Sequence, residues 1–271
     1  MVDVKSGYIY STKPKKFLGQ HYLKDRKVLE EIITSLELTG KENVLEIGAG
    51  RGEITCYIAQ RGKEVWAVEL DRDNIPILEE RLREFPNVHI IGKNILNFHT
   101  DTYFDLIVGN IPYYISGILL GSLSERWKYK RVVLTLQEEV GKRLSALPGT
   151  RSYGILTLVV CYNHRVRLLF DIPRGCFYPV PKVDSVVVEL ERIEDREIER
   201  SFFIKVVKSA FSNRRKMLPN VLTSLGLDRE YVVELLKEMK IDPKRRGETL
   251  SLEEFLILAK RLYETSVFSK T

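Results

Sequence analysis

Apolar residues in the first two thirds of the chain alternate between short strand-like runs and segments with helical spacing. Residues 25–36 have the spacing of an amphipathic helix, with Asp25 as its predicted N-cap. Runs rich in Val, Ile and Leu predict strands at 44–47, 64–68, 88–91, 104–108 and 131–136, and helices are predicted at 53–60, 74–85 and 138–147. This alternation predicts a doubly wound α/β sheet.

The last third of the chain has a different pattern. Residues 168–172 and 185–190 predict a closing antiparallel pair of strands, and the almost wholly charged segment 191–200 is interpreted as a connector. Beyond it, helical spacing recurs at 202–211, 221–225, 231–239 and 255–263, and Ser251 with Glu254 forms a capping box. We therefore predict an α/β domain over residues 1–190, with a basic N-terminal arm, and a small all-helical domain over 191–271.

The composition is that of a folded protein, with 44% hydrophobic and 30% charged residues among 271. Three widely spaced cysteines without a CxxC pair, and four histidines without ligand spacing, indicate neither a disulfide framework nor a metal site. The longest apolar run, 155–161, is too short to cross a bilayer, and residues 1–16 lack the apolar core of a secretory signal. We expect a cytoplasmic protein without a membrane segment.

A glycine-rich turn, Glu46-Ile-Gly-Ala-Gly-Arg-Gly52, follows the first predicted strand of the sheet. Its spacing is GxGxG rather than the GxGxxG of dinucleotide sites, and Glu46 would repel a phosphate, so a cofactor with an ammonium group fits better. Glu69 ends the next strand, where a carboxylate can accept from ribose hydroxyls, and Asn94 offers an amide to an adenine edge. Together these pieces predict an S-adenosylmethionine (SAM) pocket. The alternative is a tight turn and a solvated acid at a helix start.

The segment Gly109-Asn-Ile-Pro-Tyr-Tyr-Ile115 follows the fourth predicted strand. The side-chain oxygen of Asn110 and the carbonyl of Ile111 can accept the two N–H groups of an exocyclic nucleobase amine and aim its lone pair at a methyl donor. Pro112 stiffens this arrangement, and Tyr113 can stack on the base. The alternative is an Asn-Pro turn with core tyrosines.

At these residues the chain resembles the ribosomal RNA adenine N6,N6-dimethyltransferases. The resemblance runs from Lys15 onward and is carried, besides the glycine turn and the Asn-Ile-Pro-Tyr motif, by Phe17-Leu-Gly-Gln-His-Tyr-Leu23, Ser152-Tyr-Gly154, Phe177-Tyr-Pro-Val-Pro-Lys-Val-Asp-Ser185 and Ala210-Phe-Ser-Asn-Arg-Arg-Lys216. The chain departs from the family pattern twice, since the family usually has Asn where His21 stands and Asp where Asn94 stands.

The resemblance implies a Rossmann-like class I SAM-dependent methyltransferase that dimethylates N6 of two adjacent adenines in the 3′-terminal hairpin of small-subunit rRNA, as a step of ribosome biogenesis. It implies that the partner is the immature small subunit and that the enzyme is a monomer. Asn110, Ile111, Pro112 and Tyr113 would hold the target base, with Phe177 on its other face. The residues that the resemblance assigns to the cofactor are His21, Leu23, Gly48, Glu69, Asn94 and Asn110.

Three other functions are compatible with parts of this pattern. The erythromycin-resistance methyltransferases share the Asn-Ile-Pro-Tyr motif but modify large-subunit RNA. Related mitochondrial transcription factors bind nucleic acid without methyl transfer, and an assembly factor could act mainly by occupying the immature subunit. The net charge of +6 suits a polyanionic partner. Candidate phosphate contacts, which could equally be solvated faces, are Lys13, Lys15, Lys16, Arg214, Arg215, Lys216, Lys244, Arg245 and Arg246.

Overall fold

A computed structural model describes residues 13–193 and 196–268 of the chain. Most of the predicted N-terminal arm, residues 1–12, and two residues of the charged connector lie outside the described residues. Among the described residues, no helix is long and apolar enough to cross a membrane.

Nine strands lie in the described ranges, two of which form a separate small sheet. In chain order they are β1 (Tyr22–Leu23), β2 (Asn43–Ile47), β3 (Glu64–Glu69), β4 (Val88–Gly92), β5 (Tyr103–Asn110), β6 (Lys128–Gln137), β7 (His164–Ile172), β8 (Phe177–Tyr178) and β9 (Ser185–Arg192). The large sheet has the order β4-β3-β2-β5-β6-β9-β7, and β1 pairs antiparallel with β8. All five strands predicted for the α/β part are present, whereas β1 and β8 are too short for a periodic signal.

The first five strands of the large sheet run parallel. β2 pairs with β3 on one side and with β5 on the other, so the strand order reverses direction at β2. In a doubly wound sheet, ligands bind at the carboxyl ends of the strands beside this switch point. Here those ends are Ile47, Glu69, Gly92 and Asn110. The predicted sheet class is confirmed, and it brings the candidate residues to a single edge.

The helices predicted within residues 25–147 are present but shorter, whereas those predicted from residue 202 onward begin two or three residues before their predicted starts. They are α1 (Arg26–Ser35), α2 (Thr55–Arg61), α3 (Ile75–Arg81), α4 (Ser116–Arg126), α5 (Glu138–Leu144), α6 (Ile155–Cys161), α7 (Arg200–Ala210), α8 (Leu218–Leu222), α9 (Arg229–Glu238) and α10 (Leu252–Phe268). Asp25 caps α1 as predicted, accepting from the amides of Lys27 and Val28. α4 and α6 were not predicted, because their apolar residues do not form a clean helical stripe.

Close packing of β2 against β5 depends on one glycine. A Cβ atom at Gly109 would lie 2.5 Å from the carbonyl oxygen of Ile47, far inside van der Waals contact. The absence of a side chain at 109 therefore lets the two strands that flank the switch point approach each other. Around them, Val44, Leu106 and Val108 are buried in one apolar cluster.

Backbone contacts divide the chain into two compact units. The first includes the described residues up to 138 together with 168–190, and the second includes 139–167 and the described residues from 191 onward. Residues 139–167 therefore cluster with the C-terminal helices, although the sequence analysis assigned them to the α/β domain. The reason is the apolar side of the α6 segment, whose Leu158 and Tyr162 are buried in one cluster with Phe203 and Phe255.

The second unit contains the predicted helices and capping box. The amide of Glu254 donates to the Ser251 hydroxyl, and the amide of Ser251 donates to the Glu254 carboxylate. The Tyr153 hydroxyl, from the Ser-Tyr-Gly motif, donates to the carbonyl of Leu250 at 2.8 Å. This motif therefore holds two segments of the second unit together.

Candidate active site

One cavity lies at the carboxyl edge of the parallel strands. It includes about 1010 Å³ of space, part of it open to solvent, a size in the range of small-molecule sites. Its walls are formed by residues 18–23, 46–50, 68–70, 93–95 and 110–115, with Glu53, Ile54 and Asn74. Every residue assigned above to the cofactor or the target base lines this cavity except Phe177.

The glycine turn forms the floor of the cavity. Gly48 and Gly50 have φ angles of +74° and +60°, which side chains rarely tolerate. The amides of Gly48 and Ala49 donate to the carbonyl of Val68 at 2.9 and 3.1 Å, so the turn is tied to the neighbouring strand. A Cβ atom at Gly50 would lie 3.3 Å from the ring of Tyr22. Glycine is therefore required at Gly50 by both conformation and space.

Glu69 is buried and supports this turn. Its carboxylate accepts from the amide of Gly50 at 2.7 Å and from the amide of Asp71 at 2.6 Å. Burial raises the pKa of Glu69, and these amide donors partly oppose the rise. The alternative of a solvated acid at a helix start does not describe this side chain. Its support of Gly50 could not have been read from the spacing of the motif.

Glu46 is the second buried carboxyl group of the cavity. Its exposed fraction is 2%, and its Oε2 atom has no hydrogen-bond partner among the described residues. Burial raises the pKa of Glu46 to about 8, with the negative charges of Glu53 and Glu69 acting in the same direction. A cationic ligand would favour the ionised form of this carboxyl group and occupy its unpaired acceptor, whereas a phosphate would do neither. The donor set therefore fits a ligand with an ammonium or sulfonium group.

Asn94 follows β4 and lines the same cavity. Its side-chain oxygen accepts from the amide of Leu96 at 3.0 Å and thereby caps a short turn over Ile95–Asn97. This bond orients the side chain and leaves its NH₂ group as a donor. A donor suits a ring nitrogen of adenine, while the exocyclic amine would need the oxygen as an acceptor. Where an Asp would offer only acceptors, Asn94 therefore offers the cavity a donor as well.

Asn110 lies at the end of β5 and contacts the N-terminal segment. Its Nδ2 atom donates to the backbone carbonyl of His21 at 2.8 Å. Because the nitrogen faces His21, the other end of the amide, Oδ1, remains available as an acceptor. Next to it, the amide of Ile111 donates to Thr135 at 3.1 Å, which extends the pairing of β5 with β6. The predicted acceptor pair therefore has a fixed backbone.

The ring of His21 joins two other parts of the wall. It stacks on Tyr113 with ring centroids 5.5 Å apart and an angle of 25° between the planes. Its Nδ1 atom lies 2.6 Å from the carbonyl oxygen of Pro179, so Nδ1 carries the hydrogen of this bond. The peptide bond between Tyr178 and Pro179 is cis. The residue that departs from the family pattern thus contacts both the Asn-Ile-Pro-Tyr segment and the proline loop.

Phe177 is not brought to the cavity. It pairs with Leu23 in the small β1–β8 sheet, and its side chain, 2% exposed, lies in the apolar core with Ile172 and Val187. The neighbouring Tyr178 is 45% exposed. In this conformation Phe177 cannot stack on a base in the cavity, so the predicted role would require β8 to move.

A polar clamp, formed by Lys15, Gln20, Asp71 and Asp73, holds the segment before β1 and was not predicted from the sequence. The Lys15 ammonium lies 2.5 Å from Asp71 and 2.6 Å from Asp73, and the Gln20 side chain donates to Asp71 at 2.7 Å. Gln20 also accepts from the amide of Lys15. Asp71 lies two residues after Glu69, but no local pattern distinguishes it from a surface aspartate. Lys15 is therefore committed to an internal contact rather than exposed for RNA.

The basic residues of the two C-terminal runs, 214–216 and 244–246, also differ in whether they are held by internal contacts. Arg214 pairs with Glu248 at 2.6 Å and donates to the carbonyls of Arg151 and Tyr153, and Arg245 pairs with Glu254 at 2.5 Å. These two arginines are structural. The other basic residues of the two runs are exposed, namely Arg215, Lys216, Lys244 and Arg246.

A parallel sheet that reverses at β2, with a glycine turn, a buried acid and an amide–proline–aromatic segment at one edge, defines a Rossmann-like class I methyltransferase. The model of the family "Ribosomal RNA adenine dimethylase" matches residues 11–263. The chain therefore belongs to the ribosomal RNA adenine dimethylase family, and the predicted family, fold class and enzyme class are confirmed.

Individual relatives agree with this assignment. The chain is 39% identical to a ribosomal RNA small subunit methyltransferase A of Clostridium botulinum, over 94% of this chain and 96% of that one. It is also 39% identical to the protein of the same name from Bacillus cytotoxicus, over 96% and 94% of the two chains.

Two solved structures are similar along most of the chain. A dimethyladenosine transferase from Plasmodium falciparum has a TM-score of 0.81 and 25% identity, covering 90% of this chain and 98% of that one. The 23S rRNA methyltransferase ErmE has a TM-score of 0.71 and 25% identity, covering 89% and 99%.

Proposed function

We propose that the chain transfers methyl groups from SAM to N6 of two adjacent adenines in the 3′-terminal hairpin of small-subunit rRNA. The observation that carries this proposal is the fixed Asn110 amide, whose oxygen remains free beside a cavity suited to a cationic donor. The small-subunit target is supported by the two bacterial relatives, which are both named as small-subunit methyltransferases.

The cofactor residues follow from the floor and side of the cavity. SAM, when bound, supplies an electrophilic methyl group on a sulfonium. Glu46 and the turn at Gly48 would hold its cationic methionyl part, Glu69 would accept from the ribose, and Asn94 would donate to the adenine. The backbone of His21 and Leu23 would cover the bound molecule.

The acceptor amine must be made nucleophilic, because its lone pair is delocalised into the adenine ring. Asn110 Oδ1 and the carbonyl of Ile111 would accept its two N–H bonds and favour a tetrahedral nitrogen, which frees the lone pair. The freed lone pair would attack the methyl carbon that a bound SAM would supply, with the electron pair of the broken carbon–sulfur bond staying on sulfur. The methylated nitrogen is cationic, and its proton leaves to water after the transfer.

Stacking by Tyr113 would hold the base and favour the cationic product. Burial raises the pKa of Tyr113, so its phenol stays neutral at physiological pH and acts as an aromatic face. After the first transfer only one N–H remains for two acceptors. Stacking should therefore contribute more to the second transfer than to the first.

The wider assignments belong to the same proposal. The enzyme would act as a monomer in the cytoplasm on immature small subunits, so that methylation is coupled to ribosome biogenesis. The first domain, 1–190, would carry the chemistry, and 191–271 would contact rRNA. The exposed Arg215, Lys216, Lys244 and Arg246 support an RNA contact there.

The test is methyl transfer from labelled SAM to unmethylated small ribosomal subunits and, in parallel, to unmethylated large subunits, followed by nuclease digestion. Dimethyladenosine recovered from the 3′-terminal hairpin is the expected result. Label in large-subunit RNA would assign the chain to the resistance-type enzymes instead, and tight subunit binding without label would indicate a binding or assembly role.

A further inference from the structure

An exposed phenylalanine lies in the segment that leads into the cavity. The side chain of Phe17 is 79% exposed, the largest value for a large hydrophobic residue in the described ranges. Leaving an aromatic ring in water forgoes the free energy of burial, and such a ring at the mouth of a site is typical of a binding surface. Neither the predicted cofactor pocket nor the target-base pocket uses it.

The turn that carries Phe17 is rigidly held. Lys16–Leu18 is one turn of 3-10 helix, closed when the amide of Gly19 donates to Lys16 at 3.0 Å with Gly19 at φ +61°. The residue before the turn, Lys15, is fixed by its ion pairs to Asp71 and Asp73. The hydrogen bond of this turn and the ion pairs of Lys15 therefore fix the exposed position of Phe17, so little conformational entropy is lost when a ligand covers its ring.

The position of the turn is the rim of the cavity. Leu18 and Gly19 line the cavity directly. A Cβ atom at Gly19 would lie 3.5 Å from the ring of Tyr114, which also lines the cavity and is 56% exposed. The turn thus packs beside a second exposed aromatic ring at the point where a target base must enter.

The charges around Phe17 select the chemistry of its ligand. Lys13 and Lys16 are exposed, and no ion pair is found for either among the described residues. The acidic groups that contact the neighbouring Lys15, Asp71 and Asp73, are paired with that residue. Exposed rings with unpaired ammonium groups match a strand of unpaired nucleotides, which offers flat bases and phosphates together.

We propose that Phe17, with Tyr114, is a stacking surface for an unpaired base of the RNA next to the adenine that enters the cavity. This inference rests on the proposed function, since it assigns the flanking contact of the same substrate. The surface binds through ring faces, so it tolerates different bases, while Lys13 and Lys16 contact the backbone.

The first test compares Phe17→Ala with Phe17→Tyr. We expect Phe17→Ala to raise the KM for small subunits by about tenfold, with kcat, SAM affinity and thermal stability unchanged, and Phe17→Tyr to restore the wild-type KM. Leu147→Ala is the matched control, because Leu147 is 71% exposed but lies in the second unit. An unchanged KM in Phe17→Ala overturns the inference, and so does a change in kcat alone.

The second test does not require methylation. In Phe17→Trp, the added tryptophan should be quenched by a short unstructured RNA but not by polyphosphate of equal charge, and an abasic site at the stacked position should remove the quenching. Equal quenching by RNA and by polyphosphate would mean that the surface binds through charge alone, which would overturn the stacking proposal. Normal RNA binding by Phe17→Ala with weakened binding to whole subunits would assign the ring to a ribosomal protein instead. If RNA quenches the fluorescence of Phe17→Trp but the wild type does not methylate, the proposed function fails while the surface stands.

Discussion

The cavity has two walls, which are held by different kinds of contact. The proposed cofactor wall consists of the glycine turn and Glu69, and the proposed acceptor wall consists of Asn110, Tyr113 and the residues that contact them. On the cofactor wall, backbone amides of the glycine turn bond to the neighbouring strand and to Glu69, over separations of about 20 residues in sequence. On the acceptor wall, Asn110, Tyr113 and Pro179 are joined through His21, which is 89 residues from the first and 158 from the last. The cofactor wall is thus a local product of the parallel sheet, whereas the acceptor wall exists only when distant segments meet.

This difference predicts how each wall fails. Substitutions on the cofactor wall should alter affinity for SAM and stability, because the turn and its acid form one unit. Substitutions on the acceptor wall should leave both nearly unchanged and act on methyl transfer.

The largest effect is expected for Asn110→Ala. Without the amide oxygen, one acceptor for the target amine is lost, and kcat should fall by roughly 100-fold to 1000-fold, while SAM affinity changes much less. Methyl transfer and calorimetric titration of SAM measure the two quantities. Asn97→Ala, at an exposed position outside the cavity lining, is the control. Near-normal turnover in Asn110→Ala would contradict the acceptor role.

The next effect is expected for Glu69→Ala. It removes one charge-assisted bond to the glycine turn, from Gly50, and one from Asp71, as well as the proposed ribose acceptor, so the Kd for SAM should rise between about tenfold and 100-fold. Glu64→Ala, at the exposed start of the same strand, should bind SAM normally. An unchanged Kd in Glu69→Ala would show that the wall does not hold the cofactor.

A smaller effect, on stability, is expected for Glu46→Gln. The folded protein holds the Glu46 proton up to a pKa of about 8, while an unfolded glutamate releases it near 4.5. The unfolded chain therefore binds fewer protons between these values, and the free energy of unfolding falls as the pH rises from about 4.5 to 8. Glu46→Gln removes this contribution, so its stability relative to wild type should increase across that interval, by a total on the order of a few kcal/mol.

Chemical denaturation of both proteins at pH 5, 6.5 and 8.5 checks this result. Glu53 and Glu69 also have pKa values raised by burial, but they are present in both proteins, so only the part of their titration that depends on the Glu46 charge enters the difference. A difference that does not vary with pH would mean that Glu46 is not buried in its protonated form.

The smallest effect is expected for the ring of His21. His21→Ala should lower kcat by about two- to tenfold, the range of a stacked aromatic pair, without changing SAM affinity, since the His21 ring contacts Tyr113 and Pro179. His21→Phe keeps the stacking on Tyr113 and loses the bond to Pro179, so it separates the two contacts. Fluorescence of 2-aminopurine in place of the target adenine reports the base position directly. A change in SAM Kd equal to that in kcat would remove His21 from the acceptor wall.

The sequence predicted the parts of the site that depend on strand ends. Gly48, Glu69, Asn94 and Asn110 each follow or end a predicted strand, and parallel pairing alone brings them to one edge. It did not predict the Lys15–Asp71 clamp or the His21 contacts, because these depend on which distant residues become neighbours. Phe177 shows the converse error, since a family motif does not reveal that β8 directs this side chain into the core.

The bond between Asn110 and His21 also has a consequence for synthesis of the chain. Residues 15–21 leave the ribosome before their partners Asp71, Asn110 and Pro179, which follow about 50 to 160 residues later in the chain. The glycine turn and its strands can assemble while translation continues, but the contact of His21 with Pro179 can form only after residue 179 has been made. A nascent chain stalled before that point should carry no complete acceptor site, so the enzyme acquires its activity only after residue 179 has left the ribosome.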